Sequence, residues 1–188
     1  MGEHEVAVPL RRAVFFDRDG TLSRAIVREG RPYASGTLEE FQLAEDAGEA
    51  CRLLKQAGFL LVVATNQPDV GRGTLRQEVV EQMHARLMRE LPLDRIEVNY
   101  DSGDTPSDLR KPAPGMLLRA ARALGIDLKR SFMVGDRWRD IDCGHAAGCT
   151  TVFIDCGYRE SLRQNPDYRV KNLLEAANVI LAAARQMG

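Results

Sequence analysis

The 188-residue sequence has no long apolar run and no excess of charge of either sign. Its longest apolar stretches, such as residues 59–64, are far shorter than the roughly 20 residues of a transmembrane helix. Lys and Arg number 26 and Asp and Glu number 27, which gives no general attraction for nucleic acid or an anionic membrane. Residues 1–12 lack the apolar core of a signal peptide and a myristoylation motif. We expect a cytoplasmic protein that binds neither nucleic acid nor a membrane.

The sequence also lacks paired cysteines. Cys51, Cys143, Cys149 and Cys156 are scattered and form no Cys-x-x-Cys motif. A disulfide framework or a zinc knuckle is therefore not indicated, and we expect reduced, mostly packed thiols.

What the sequence does contain is an alternation of short apolar segments and helical patterns. We predict strands at residues 13–16, 59–65, 96–100, 132–136 and 150–155 and helices at residues 45–58, 74–91, 114–125 and 172–186. Thr74 and Gln77 form a capping-box pattern at the start of the second helix. Alternating strands and helices favour a doubly wound, Rossmann-like α/β fold with a parallel sheet and helices on both faces. The length suits one domain over residues 1–188.

Two aspartates follow the first predicted strand. Asp17 and Asp19 stand in the sequence DRDGT, and Gly20 permits a tight turn. Residues at i and i+2 can point the same way, so both carboxylates could address one cation and, through it, a phosphate. On its own, Asp-x-Asp is more often a solvated turn.

Three further segments favour a site over a solvated turn, because each falls at a predicted strand end or helix start. They supply polar or charged side chains: Thr65 and Asn66 in TNQ, Arg110 and Lys111 in RKPAPGM, and Asp136 and Asp140 in GDRWRD. The carboxyl ends of parallel strands form the ligand crevice of such a sheet, so we expect these side chains to meet there.

Together these motifs resemble the haloacid-dehalogenase-like (HAD) phosphohydrolases over nearly the whole chain. They look most like the subgroup of heptose bisphosphate, histidinol and polynucleotide 3′-phosphatases. Within it, DRDGTL, TNQ followed by GRG, and RKPAPGM look closest to the heptose 1,7-bisphosphate phosphatases. The resemblance implies a Mg²⁺-dependent phosphatase. No insertion is long enough for a separate cap domain, and residues 23–37 form the one sizeable excursion.

The resemblance also implies residue roles. Asp17 is the nucleophile that becomes an aspartyl phosphate, and Asp19 is the acid and base. Mg²⁺ is expected on the carboxylates of Asp17 and Asp136 and the backbone carbonyl of Asp19. By the same resemblance, Thr65, Asn66 and Lys111 hold the phosphoryl group, and Asp140 orients Lys111 or the metal shell. Arg110 is expected to contact the substrate, with Arg72 and Arg137 as weaker candidates.

The sequence departs from this family at one place. Heptose bisphosphate phosphatases of this type usually carry a zinc loop of Cys and His before RKP, whereas residues 100–109 here contain neither residue. Zinc is therefore not expected, because structural zinc needs four soft or imidazole donors. This loop borders the active site, so the loss puts the exact substrate in doubt.

The expected substrate is a small phosphorylated sugar, foremost the 7-phosphate of D-glycero-D-manno-heptose 1,7-bisphosphate. Histidinol phosphate remains an alternative substrate. A polynucleotide 3′-phosphatase would favour a basic surface with aromatic side chains, but this chain is near neutral and has one Trp. A non-catalytic phosphate-binding module would lack Asp17 or Asp19. We expect a monomer, although the sequence leaves an oligomer open.

Overall fold

The computed structural model describes residues 10–186 of the chain. The expectation that no targeting signal is present concerns residues 1–12 and so lies almost wholly outside the described residues. No helix of the described part is both long and apolar enough to cross a bilayer.

The described chain forms a large parallel sheet and a small antiparallel one. The strands are β1 (Ala13–Phe16), β2 (Ile26–Arg28), β3 (Arg31–Tyr33), β4 (Leu60–Asn66), β5 (Arg95–Asn99), β6 (Phe132–Gly135), β7 (Thr150–Ile154) and β8 (Tyr168–Val170). The large sheet has six strands in the order β5-β4-β1-β6-β7-β8, and β2 pairs with β3 as a separate hairpin.

Helices connect the strands of the large sheet. They are α1 (Ala47–Gln56), α2 (Pro68–Gly71), α3 (Gln77–Glu90), α4 (Gly115–Leu124), α5 (Trp138–Ala147) and α6 (Leu173–Gln186), with a short 3₁₀ helix at Leu128–Arg130.

The central strand β1 is buried on both faces. Val14 and Phe16 pack into a core with residues of α1, α3 and α6, whereas Ala13 and Phe15 pack into a second core with residues of α4 and α5. A continuous apolar run is what a parallel strand between two helical layers requires. The predicted doubly wound α/β fold is confirmed.

The order of the strands determines where a ligand can bind. From β1 the chain moves outward through β4 and β5, and it then crosses to β6 on the other side of β1. Such a reversal opens a crevice at the carboxyl ends of the two strands. Phe16 of β1 is paired with Val134 of β6, so Asp17 and Asp136 leave the sheet side by side at this crevice.

The sequence predictions differ from the structure at several elements, and the helices α2 and α5 were not predicted. The predicted capping box of Thr74 and Gln77 is wrong: α3 begins at Gln77, and the Thr74 hydroxyl donates to the Asp69 carbonyl in the turn after α2. The edge strand β8 was not predicted, since three residues carry too little periodicity. The excursion at residues 23–37 contains the β2–β3 hairpin.

Ser131 joins the two strands that carry the crevice. Its hydroxyl accepts from the Ala13 N–H at 2.9 Å and donates to the Asp127 carbonyl at 2.6 Å, and the residue is fully buried. We expect Ser131→Ala to lower the free energy of unfolding by about 1–3 kcal/mol, because it leaves a buried N–H unpaired. Urea unfolding measures this, with exposed Ser161→Ala as the control. Equal stability of the two variants would contradict the prediction.

Candidate active site

Lys111 lies between two carboxylates at the carboxyl ends of β1 and β6. Its ammonium donates to Oδ1 of Asp17 at 2.7 Å and to Oδ1 of Asp140 at 2.6 Å. Lys111 is 3% exposed, Asp17 8% and Asp140 1%. The structure therefore brings together three of the residues that the sequence analysis selected from three separate motifs.

Asp140 is held at the first turn of α5. Its Oδ2 accepts from the backbone N–H of Arg137 at 3.0 Å, and its Oδ1 binds Lys111. A side chain at residue 135 would collide with it, because an added Cβ on Gly135 would lie 2.3 Å from the Asp140 Cβ. Both oxygens of Asp140 are thus engaged by protein donors, which suits a residue that orients Lys111.

Asp136 is different, because it lacks such donors. It is 1% exposed, and neither carboxylate oxygen has a hydrogen-bond partner of ordinary geometry among the described residues, although the Tyr158 hydroxyl lies beside the group. Gly20 is packed against it: an added Cβ would lie 1.9 Å from the Asp136 Oδ2, and Gly20 has a φ of +89°. The turn after β1 therefore tolerates only glycine at this point.

The charges of this cluster do not balance. Carboxylate oxygens of Asp17, Asp136 and Asp140 lie within 4.8 Å of one another, and Lys111 is the cation bound among them. Three carboxylates and one ammonium leave a formal charge of −2 in a buried place. Hard oxygen donors with this charge fit a divalent cation such as Mg²⁺.

The pKa values reflect the same crowding. Burial raises the pKa of Asp17 to about 6, opposed by Lys111 and assisted by Asp140. Burial, followed by the charge of Asp17, raises the pKa of Asp136 well above its usual value. Burial opposes the charge of Lys111, but Asp140 and Asp17 outweigh it and raise the Lys111 pKa. Perturbation of this size in a cleft is typical of functional sites.

The TNQ segment, residues 65–67 at the end of β4, holds the backbone of Lys111. The Asn66 side chain accepts from the Lys111 N–H and donates to the Lys111 carbonyl, both at 3.1 Å. Thr65 is 1% exposed, and its Oγ1 accepts from Gln67 Nε2 at 2.9 Å. The Asn66 amide thus positions Lys111 while its nitrogen carries a second N–H beyond the one that these bonds use.

Asp19 follows Asp17 by two residues and has its own set of partners. Its Oδ2 accepts from Arg18 Nε at 3.0 Å and from Gln67 Nε2 at 2.8 Å. The Ser23 hydroxyl lies 3.3 Å from Oδ1. Asp19 lines the same cleft as Asp17 and Lys111.

Arg18 and Gln67 also belong to this site, although neither was predicted from the sequence. Arg18 stands between two predicted site residues, two residues after a fully buried strand, so an alternating backbone points it away from the side that Asp17 and Asp19 face. A buried guanidinium needs a partner, and Asp19 is adjacent to it. Gln67 follows two selected residues in TNQ. Both could have been found from the burial expected at these positions.

Arginines line the rim of the cleft. Arg110 Nη1 donates to the Asp101 carbonyl at 2.8 Å, and Arg72 forms a 3.3 Å ion pair with Asp69. Burial lowers the pKa of Arg110, and the positive charge of nearby Arg72 lowers it further. Arg137 makes two hydrogen bonds to Glu160, at 2.7 and 2.8 Å.

The cleft has a volume of about 570 Å³. Gly30 through Ala34 of the β2–β3 hairpin form one rim, and Arg72 and Arg110 form another. Asp17, Asp19, Asn66, Lys111 and Asp140 line its floor, together with Arg137 at the side. The volume suits a small organic molecule.

Comparison with known proteins agrees with this geometry. Residues 108–176 match the HAD-hydrolase-like family. The chain is 34% identical over 187 residues to the D-glycero-D-manno-heptose-1,7-bisphosphate 7-phosphatase of Chlorobaculum tepidum, covering 88% of this chain and 92% of that one. It is 30% identical to the D-glycero-beta-D-manno-heptose-1,7-bisphosphate 7-phosphatase of Pasteurella multocida, covering 91% and 97%.

A solved structure has the same fold. The D,D-heptose 1,7-bisphosphate phosphatase of B. bronchiseptica, complexed with magnesium and phosphate, superposes with a TM-score of 0.75 at 24% identity. The superposition covers 92% of this chain and 99% of that one.

The burial of the Asp136 carboxylate predicts how its replacement changes the stability of the protein. We expect Asp136→Asn to stabilise the metal-free protein at pH 7 by about 1–3 kcal/mol, because it removes a carboxyl group whose ionisation is opposed by burial and by the charge of Asp17. Mg²⁺ is expected to raise the melting temperature of the wild type and to leave that of the variant unchanged. Thermal unfolding with and without Mg²⁺ measures both effects.

Asp142→Asn is the matched control, since Asp142 lies on α5 and its carboxylate binds Gln164 outside the cluster. This variant should keep the wild-type response to Mg²⁺. A full Mg²⁺ response in Asp136→Asn would show that Asp136 is not a ligand.

Proposed function

Because the chain belongs to the HAD-like phosphatases, in the group of the D-glycero-D-manno-heptose 1,7-bisphosphate 7-phosphatases, we propose that it hydrolyses the 7-phosphate of that bisphosphate. The reaction depends on Mg²⁺ and proceeds through an aspartyl phosphate. A single domain carries it out. The observation that carries the proposal is the cleft floor, where Lys111 pairs with Asp17 beside an uncompensated Asp136.

Asp17 is the nucleophile of this proposal. Its Oδ1 is bound by Lys111, which leaves Oδ2 for attack on phosphorus. Asp17 lines the cleft and directly follows β1, an inner strand of the large sheet. A phosphoryl group that enters the cleft therefore reaches Asp17 directly. A carboxylate that attacks phosphorus splits the hydrolysis into two easier displacements.

Asp19 is the acid and base. It lines the same cleft as Asp17, and its side chain is 13% exposed. In the first displacement it gives a proton to the leaving sugar oxygen, and in the second it takes one from the attacking water. A primary alkoxide is a poor leaving group, so this proton transfer is needed for a sugar phosphate.

The residues that would hold Mg²⁺ are Asp17, Asp136 and the backbone carbonyl of Asp19. Asp136 supports this assignment because it is buried and its carboxylate has no hydrogen-bond partner of ordinary geometry among the described residues, whereas both oxygens of Asp140 are occupied. When bound, the cation neutralises the carboxylates and lets an anionic phosphate approach them. Asp140 then serves to orient Lys111 rather than to bind the ion.

Lys111 and Thr65 receive the transferring phosphoryl group. The Lys111 ammonium already lies within 2.7 Å of Asp17, so it is in position to bind an oxygen of a group attached there. Thr65 accepts from Gln67 and keeps its own O–H for a phosphate oxygen. Asn66 contributes by positioning Lys111 through its backbone. Charge stabilisation by fixed groups is the main protein contribution to phosphoryl transfer.

The second phosphate of the substrate belongs at the rim. Arg110 and Arg72 both line the cleft, and among the described residues neither guanidinium is paired with a buried carboxylate. With the 7-phosphate at Asp17, the sugar ring and its 1-phosphate extend outward to these arginines, which bind phosphate bidentately. Arg137 is already paired with Glu160, which makes it the weaker candidate.

Asp17→Asn tests the chemistry. The change is nearly isosteric, so the fold should survive, while kcat should fall by at least about 1,000-fold because the nucleophile is lost. Phosphate release from the heptose bisphosphate with Mg²⁺ measures it, and Asp142→Asn is the control for loss of one acidic charge. Near wild-type turnover by Asp17→Asn would disprove the covalent mechanism.

Arg110→Ala tests the substrate assignment. We expect the KM for the bisphosphate to rise about tenfold, equivalent to about 1.4 kcal/mol, because one charged phosphate contact is lost. The KM for p-nitrophenyl phosphate, which has no second phosphate, should change less than about twofold. Exposed Arg122→Ala is the control. Far higher catalytic efficiency on histidinol phosphate than on either anomer of the bisphosphate would overturn the sugar assignment and leave the phosphatase assignment intact.

A further inference from the structure

The two oxygens of Asp19 have unequal surroundings. Oδ2 accepts hydrogen bonds from Arg18 Nε at 3.0 Å and from Gln67 Nε2 at 2.8 Å, and it forms an ion pair with Arg18 Nη2 at 2.9 Å. Oδ1 has one weaker neighbour, the Ser23 hydroxyl at 3.3 Å, which also lies 3.1 Å from the Arg18 carbonyl. Two hydrogen bonds and an ion pair thus engage Oδ2, whereas Oδ1 has only the weaker contact with Ser23.

Arg18 is held in place by Phe41 and His84. It is fully buried, and its guanidinium lies 5.4 Å from the centre of the Phe41 ring. Its Nη1 lies 3.3 Å from Nε2 of His84, a residue of α3. Burial and the charge of Arg18 lower the pKa of His84 to about 4, so the imidazole is neutral at pH 7 and can accept this hydrogen bond.

Gln67 is fixed in a similar way. It is 1% exposed, its backbone N–H donates to the Asn99 carbonyl at 2.8 Å, and its amide bridges Asp19 and Thr65. The amide therefore connects the proposed acid and base to a residue of the proposed phosphoryl site.

We infer that Arg18 and Gln67 are positioning residues that anchor Oδ2 of Asp19, so that Oδ1 is the oxygen that exchanges the proton with the leaving group. The inference rests on the proposed function, because it requires Asp19 to act as acid and base. Arg18 is also placed where the negative charge of Asp19 develops as its proton departs, which is the arrangement that favours the transition state.

The proton and electrons balance over the two displacements. In the first, an oxygen of Asp17 bonds to phosphorus, and the bond from phosphorus to the sugar oxygen breaks. The electron pair stays on that oxygen, which takes the proton from Oδ1 of Asp19. In the second, water bonds to phosphorus, gives one proton to Oδ1, and the bond from phosphorus to Asp17 breaks to restore the carboxylate.

The test compares two phosphate esters with Arg18→Met and Gln67→Met. The 7-phosphate of the heptose bisphosphate needs a proton on its leaving oxygen, whereas p-nitrophenolate departs without one. We expect kcat/KM for the heptose ester to fall 10- to 100-fold and kcat/KM for p-nitrophenyl phosphate to change less than about threefold. This parameter reports the steps up to the first displacement, so the later use of Asp19 as base does not enter.

Three further variants separate positioning from a structural effect. Arg86→Met is the matched control, because Arg86 donates to the Phe41 carbonyl beside Arg18 without touching Asp19, and it should leave the ratio of the two esters unchanged. Arg18→Lys should recover part of the loss on the heptose ester. In an Asp19→Asn background, Arg18→Met should cause no further loss, since residues that act through one group are not additive.

Each outcome is decisive. An equal fall on both esters, or no fall on either, in both Arg18→Met and Gln67→Met would overturn the inference. If Arg18→Met does not fold, Gln67→Met alone decides by the same ratio. If the wild type releases no phosphate from the heptose ester, histidinol phosphate, also a primary alkyl ester, takes its place, so failure of the substrate assignment remains distinguishable from failure of the inference.

Discussion

The ion pairs of Lys111 with Asp17 and Asp140 are the interaction on which the rest of the site depends. Carboxylates buried at the ends of β1 and β6 would destabilise the fold without a cation, because burial and mutual repulsion both oppose their ionisation. Lys111 lies between Asp17 and Asp140 at 2.7 and 2.6 Å. Its backbone is held in turn by the Asn66 amide, so β4, β1 and α5 are all joined through one side chain.

Asp17 and Asp19 show how two carboxylates one residue apart acquire different environments. The oxygens of Asp17 face Lys111 and the acidic cluster, whereas Oδ2 of Asp19 faces Arg18 and Gln67. The difference arises because Asp17 continues from a strand and Asp19 lies in the turn at Gly20. Distinct surroundings are what a nucleophile and an acid–base group require, and they support the division of roles that we propose.

The loop at residues 100–109 is organised by hydrogen bonds of its own. Asn99 Nδ2 donates to Asp101 at 2.7 Å, Ser102 donates to Asp104 at 2.6 Å, and Arg110 reaches back to the Asp101 carbonyl. Gly103 lets the Arg110 guanidinium lie close, since an added Cβ would be 2.9 Å from it. Arg110 therefore both fastens this loop and borders the cleft, so the loop and the proposed 1-phosphate site are physically connected.

Local patterns in the sequence determined the fold and the positions of most candidate residues, because a continuous apolar strand and the polar residues that end it are both short-range features. Asp17, Lys111 and Asp136 could be selected in this way, each at a strand end or helix start. The short strand β8 and the failed capping box at Thr74 could not, since their outcome depends on tertiary contacts. Only the tertiary structure decided the partner of each side chain: that Asn66 binds the Lys111 backbone, that Asp140 binds Lys111, and that Arg18 is buried against His84. These pairs are 45, 29 and 66 residues apart, so the packing of the strands and helices, and not any local motif, brings them within hydrogen-bond distance.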